Sequence, residues 1–337
     1  MFQYILVPLD GSKRAESALP VAASIARSTG ARLLLLRVLP LPTNIPVYPL
    51  EPIDSPEEEL ASDEYRASIT YLDRKKHARE LQDIPVDTHL VTGPIAQRIL
   101  FSIEARGIDL VVMCSRGETG IKRRALGSVA QKIVRSSPVP VLVLHESAGT
   151  LSNQHPAGQR PVRVLVALDG SSLAETALKP AAALTTALSA PEPGILHLLS
   201  VVPPPRSTSA SGANASQLDL SEARMYIQTI AQAVKEERRR AGTLIVHTSV
   251  VEGLDVAETI IRVAEEGAAG EVCDAIALAS HGRGGLTRWI MGSTAERLLD
   301  GTRLPLLVVH VPQPGDMKER IAGERASIRA RQASTQS

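Results

Sequence analysis

The feature that most constrains this chain is its internal duplication. Ile5-Leu-Val-Pro-Leu-Asp-Gly-Ser12 reads like Val164-Leu-Val-Ala-Leu-Asp-Gly-Ser171, at an offset of 159 residues. Leu90-Val-Thr-Gly93 matches Val250-Val-Glu-Gly253 at an offset of 160. Ser115-Arg-Gly117 through Gly127-Ser128 matches Ser280-His-Gly282 through Gly292-Ser293 at an offset of 165. Order is kept and the offset drifts only by loop insertions such as 267–271. A period this long is a domain repeated end to end, not a solenoid. The 337 residues are enough for two domains, 1–146 and 161–312, with a polar, turn-rich linker at 147–160 and a charged peripheral or disordered tail at 313–337.

Each half alternates short apolar runs with helical patterns. The first half predicts strands near 3–9, 32–39, 85–91, 109–114 and 140–145, and helices near 13–29, 57–82, 94–106 and 125–136. The second predicts strands near 162–168, 194–202, 244–251, 274–280 and 305–310, and helices near 172–189, 217–241, 255–266 and 290–300. This alternation means crossover connections and a parallel sheet, so the expected fold is α/β with two tandem five-stranded sheets flanked by helices. Aromatic residues make up 2% of the chain and hydrophobic residues 44%, so Val, Ile, Leu and Ala must build cores for strands covered on both faces. Gly30 and Gly242 stand where helices would end in a left-handed cap. Pro40 to Pro56 and Pro203 to Ser216 read as loose segments after the second strand of each half.

The formal net charge of +1 gives no global pull toward nucleic acid or an anionic membrane. No apolar run approaches the length of a membrane span, and no secretory pattern opens the chain, so a cytoplasmic protein is expected. Cys114 and Cys273 lie in or beside apolar runs and read as small core residues, not a disulfide or metal pair. His77, His89, His145, His197, His247 and His310 stand singly and read as core or edge histidines. No recurring Ser/His/Asp order or paired carboxylates appear, so no catalytic residue is assigned.

Two features recur where ligands bind in open parallel sheets, outside the carboxyl ends of the strands. The first is Asp10 and Asp169, each ending a strand before Gly-Ser. Such a carboxylate can accept from ribose hydroxyls or a base amine, or it can simply shape the turn that opens a helix. Ser172 with Glu175 fits a capping box. The second is the loop Gly117-x9-Gly127-Ser128 and its mate Gly282-x9-Gly292-Ser293. Seven of twenty residues agree from Ser115 and from Ser280. Glycines let backbone approach a ligand, and a helix start beyond Gly-Ser offers free amides and the positive dipole end to a phosphate. Lys122, Arg123, Arg124, Arg283 and Arg288 lie nearby in sequence; a solvated surface loop is the alternative. Neither a Walker A loop nor a Gly-x-Gly-x-x-Gly fingerprint is present.

These motifs, with the closing runs Pro138–Leu144 and Leu304–Val309, resemble the universal stress protein (UspA) family, over nearly the whole chain apart from linker and tail. The resemblance implies Rossmann-like, adenine nucleotide alpha hydrolase-like domains. It implies ATP, with or without magnesium, as ligand of its Gly-x2-Gly-x9-Gly-Ser/Thr branch. The first glycine of that pattern is Cys114 in one half and Ala279 in the other. Carried over, the base end falls to Asp10 and a main-chain group of Val38, and ribose and phosphates to Gly117, Gly127 and Ser128. The second set is Asp169, Val201, Gly282, Gly292 and Ser293. A cyclic nucleotide also fits the loop. The implied role is a nucleotide sensor or binding module in stress response. A slow ATPase or AMP-forming transferase, and a non-nucleotide dimerisation module, are the alternatives. Pairing of the two halves through their last strands, as an intramolecular pseudo-dimer, is the implied assembly, with room for a further homodimer.

Overall fold

The computed structural model describes residues 1–40, 63–115, 126–145, 160–204, 210–238, 244–267, 271–280 and 291–310. The first half contains β1 (Tyr4–Pro8), α1 (Lys13–Glu16), α2 (Ala18–Thr29), β2 (Arg32–Leu39), α3 (Asp63–Lys76), β3 (Val86–Thr92), α4 (Ile95–Arg106), β4 (Leu110–Cys114), α5 (Ser128–Ser136) and β5 (Val141–Leu144). The second contains β6 (Arg163–Leu168), α6 (Ser172–Glu175), α7 (Leu178–Ser189), β7 (Gly194–Val202), α8 (Ala210–Arg238), β8 (Leu244–Glu252), α9 (Val256–Glu266), β9 (Ala275–Ala279), α10 (Ser293–Gly301) and β10 (Leu306–Val309).

The ten strands form one sheet in the order β3-β2-β1-β4-β5-β10-β9-β6-β7-β8. Every pair within a half is parallel. The halves join where β5 and β10 run antiparallel, with Leu306 opposite Val143, Leu307 opposite Leu142 and Val308 opposite Val141. The fold is therefore two five-stranded parallel sheets fused edge to edge. That junction removes two of the four sheet edges that two separate domains would expose.

Strand alternation sorts side chains onto two cores. Ile5, Val7, Leu33 and Leu35 face α2 and α3 on one side. Leu6, Leu34 and Leu36 face α4 and α5 on the other. Both layers continue through the second half, under α7 and α8 and under α9 and α10. The run Leu33 to Leu36 is fully buried, because helices cover both faces of an interior strand.

Three sequence expectations need correction. The first helix of each half is two helices. Ser17 donates its N–H and hydroxyl to the Arg14 carbonyl, and Thr176 does the same toward Leu173. Pro20 and Pro180 sit within the first turn of the second piece, where their missing N–H costs least. Of the 57–82 helix, 57–62 lie outside the described residues; the rest is helical from Asp63 to Lys76 and closes in a short 3-10 turn, Arg79–Leu81. The segment read as loose up to Ser216 is helical from Ala210. Its few poor helix formers each cost about 1 kcal/mol or less, which an otherwise favourable long helix absorbs. Gly30 does end α2 in the left-handed region, at φ 73°. Gly242 and the segment 41–56 lie outside the described residues.

Candidate functional site

In each half the strand order reverses direction between two neighbours, β1 and β4 in the first, β6 and β9 in the second. Beyond the carboxyl ends of such a pair the chain leaves to opposite faces of the sheet, and a crevice results. The repeated residues gather there.

Asp10 follows β1. Its Oδ1 accepts from the Ser12 amide at 2.9 Å and the Ser12 hydroxyl at 2.6 Å. Asp169 holds Ser171 in the same way, at 3.0 and 2.6 Å. Each serine in turn caps the next short helix, accepting from Ala15 or Ala174 at 3.1 Å. Both aspartates are exposed. Gly11 and Gly170 complete these turns at φ 94° and 82°, where a side chain would be strained. The aspartates thus shape their turns, and that role leaves an exposed carboxylate at the rim of each crevice.

Main-chain direction at the end of β2 follows from pairing. Arg32 donates to Gln3, and Leu36 accepts from Leu9, so alternate residues from Arg32 onward address β1. Val38 belongs to that set, yet the paired register with β1 ends at Leu36. Its N–H and carbonyl point past the end of β1 into the crevice. In the second half Ile195 donates to Val162, and the same parity brings Val201 to the same place. The side chains of Val38 and Val201 pack against the core.

Across each crevice, Gly127 and Gly292 precede α5 and α10. Each glycine donates its amide to the serine that follows β4 or β9, Gly127 to Ser115 and Gly292 to Ser280, both at 2.8 Å. Each loop is therefore clasped at its base. The glycines adopt φ near −65° and −60°, ordinary extended backbone. Positive φ is not their reason. What they withhold is a capping side chain: neither helix start has a side-chain cap. Ser128 and Ser293 are the first helical residues, so the free amides and the positive dipole end of each helix start beside a hydroxyl-bearing residue. Gly117 and Gly282, with Lys122, Arg123, Arg124, Arg283 and Arg288, lie outside the described residues.

A model of the Universal stress protein family matches residues 1–145 and 162–310. The chain belongs to the universal stress protein family. Universal stress protein YxiE of Bacillus subtilis is 30% identical over 151 residues, 43% of this chain and 99% of its own. Universal stress protein Rv2005c of Mycobacterium tuberculosis is 25% identical over 312 residues, 90% of this chain and 96% of its own, so it spans both halves. The crystal structure of a universal stress protein from Archaeoglobus fulgidus superposes with a TM-score of 0.62 at 22% identity, covering 92% of this chain and 98% of that one, a likeness of fold.

This universal stress protein carries a feature at the crevice that sequence reasoning missed. Tyr71 donates its hydroxyl to Glu16 at 3.2 Å, and Tyr226 to Glu175 at 3.1 Å. The signal was present, since Glu16 and Glu175 keep the offset of 159. In the first half Lys75 and Lys13 also reach Glu16, at 2.8 and 3.2 Å. Burial alone would raise the Glu16 carboxyl, but the hydrogen bonds from Lys75 and Lys13 outweigh it and hold it low. Burial and the Glu16 charge push the Tyr71 hydroxyl up. Arg37 lies over the Tyr71 ring at 5.0 Å.

Cys114, expected among apolar neighbours, is only half-buried. Its thiol donates to the Arg14 carbonyl at 2.7 Å and lies 3.1 Å from the Ser17 hydroxyl, tying the end of β4 to the α1–α2 corner. Burial raises its pKa, so it stays a thiol. Cys273 is buried, and both cysteines are free. Among the described residues no group of His, Cys, Asp or Glu could hold a metal ion, and no helix is long and apolar enough to cross a membrane.

Proposed function

We propose that this universal stress protein binds adenine nucleotide, ATP foremost, in its crevices and acts as a nucleotide sensor or binding module without efficient chemistry of its own. One observation carries the reading. In both halves an exposed aspartate and a stretch of strand backbone beyond the paired register face, across the switch point, a helix start whose N-cap residue is a glycine with no side chain to cap it. The aspartate and the backbone of Val38 or Val201 suit the base and ribose, which need donors and acceptors in a plane. The helix start at Gly127-Ser128 or Gly292-Ser293 suits phosphate. The dipole supplies only about 0.3–1 kcal/mol, up to about 2 when partly buried, so affinity also needs cations from the loops.

Isothermal titration of the full chain with ATP, with and without magnesium, tests the reading. Binding that weakens at least about tenfold in Asp10→Ala or Asp169→Ala is expected, the cost of a charge-assisted hydrogen bond. Absence of binding at millimolar nucleotide sinks it. Phosphate release that depends on Asp10 or Asp169 would move the protein to the enzymes.

A further inference from the structure

The two crevices are built alike in backbone and unlike in charge. Strand register aligns them residue by residue: Pro8 stands opposite Leu36, and Ala167 opposite Leu199. Arg37 therefore matches Ser200. Lys13 matches Ser172, at the offset that also pairs Glu16 with Glu175. The Tyr–Glu hydrogen bonds align Tyr71 with Tyr226, so Lys75 matches Ile230. Three cations of the first half are thus neutral residues in the second, while the carboxylates at both places are kept.

The cations surround the turn that carries Asp10. A Cβ added at Gly11 would lie 3.1 Å from Arg37 Nη1, so the guanidinium rests against the turn. Arg37 and Lys75 both stand at the Tyr71 ring, at 5.0 and 5.8 Å. Neighbouring strands are about 4.8 Å apart, and β1 alone separates β2 from β4. The Arg37 side chain lies on the α2 and α3 face beside the Asp10 turn, and β2 runs roughly 10 Å from β4, whose loop leads to Gly127, about one Debye length in ordinary salt. The loops differ in the same sense in sequence by one charge: 116–126 carries Arg116, Lys122, Arg123 and Arg124 against Glu118, whereas 281–291 carries Arg283 and Arg288.

We infer that the two crevices are not equivalent: the first, whose Asp10 turn is ringed by Lys13, Arg37 and Lys75, favours the more anionic nucleotide through their combined field, and the second, with neutral residues at those places, is nearly indifferent to charge. This rests on the nucleotide-binding reading and specifies it. In the absence of magnesium the first crevice prefers ATP over AMP and fills at concentrations that leave the second empty. Magnesium narrows the preference, because it neutralises the charge that is read.

The test is calorimetric titration of the full chain with AMP, ADP and ATP without magnesium, at two salt concentrations. Two phases are expected with ATP, the tighter one salt-sensitive. Gly127→Glu, which sets a carboxylate at the first helix start, removes the tight phase. Arg37→Ser weakens it about threefold and lowers the ATP/AMP ratio, the scale of one charge pair at about 10 Å across one Debye length. Lys13→Ser, at a side chain 92% exposed, shifts it in the same direction by a smaller factor. Ser172→Lys, at the exposed mate of Lys13, strengthens the weak phase by a similar small factor, a gain that does not depend on Arg37→Ser folding; circular dichroism checks each variant. A tight phase that survives Gly127→Glu, or an ATP/AMP ratio that Arg37→Ser leaves unchanged, overturns the inference. So does one affinity at both crevices with the same charge dependence, although nucleotide binding itself would then stand. No binding of any nucleotide overturns both.

Discussion

Acid should weaken the second half of this protein through one histidine. His197 on β7 occupies the place that Leu34 holds on β2, under the helices of the second layer. Its Nε2 meets the Ser249 hydroxyl at 2.7 Å, and Nδ1 is buried with no hydrogen-bond partner among the described residues. Burial, with Arg163 and His247 adding repulsion and Glu271 partly opposing, lowers its pKa from 6.5 to about 4. The folded state therefore keeps the ring neutral while the unfolded chain protonates it below 6.5. Between these values the unfolded state binds more protons, so stability falls as pH falls. At about pH 5 the loss is about 2 kcal/mol, taking about 1.4 kcal/mol per pH unit across the open part of the window. Urea denaturation at about pH 7.5 and about pH 5, on the wild type and His197→Gln, measures it. Glutamine can still bond Ser249 and does not titrate. Carboxylates held low, such as Glu16, lose stability over a lower range and do so equally in both proteins. The variant should lose about 2 kcal/mol less than the wild type between the two pH values. Equal losses would refute the assignment.

Two further substitutions test how the halves are held. Asp274, whose side chain is 8% exposed, accepts from the Arg163 amide at 2.8 Å and pairs with Arg160 at 2.5 Å, whereas its half-buried mate Asp109 accepts, among the described residues, only from the main-chain amides of Gln3 and Tyr4. Asp274→Ala should cost about 3 kcal/mol and Asp109→Ala about 1, read from urea midpoints at neutral pH. Leu307, fully buried opposite Leu142 at the junction of the halves, should cost about 3 kcal/mol as Leu307→Ala, and sedimentation should show whether the loosened junction still keeps the chain closed on itself.

The sheet was legible because its interior strands are aliphatic runs bounded by turn residues, and burial on both faces permits little else. Helix ends were less so. Pro20 and Pro180 each break a pattern that periodicity reads as continuous, and the breaker is compatible with the first turn of a new helix, so the two cases look alike in sequence. The start of α8 was hidden by a polar run whose composition suits a loop. At the crevice, Asp10 and Gly127 were legible because both recur. Their division of labour was not: the glycine serves by lacking a capping side chain, not by a special φ, and only the backbone angles distinguish these.

Arg37 was illegible for a different reason, and that reason bears on function. Residues that shape the backbone here recur at fixed offsets: Asp10 with Asp169, Gly11 with Gly170, Ser12 with Ser171, Gly127 with Gly292. The tyrosine that locks Glu16 recurs too. Searching a duplication for agreement finds this set, and it describes a crevice with no preference of its own. Lys13, Arg37 and Lys75 are disagreements, and they become a group only when the fold brings β2 and α3 to the turn after β1. Shape demands matched geometry on both sides of the junction, since β5 and β10 must still pair. Charge at the rim carries no such constraint. In a duplicated chain the agreements therefore mark where a ligand can sit, and the disagreements around them mark where the two seats come to differ.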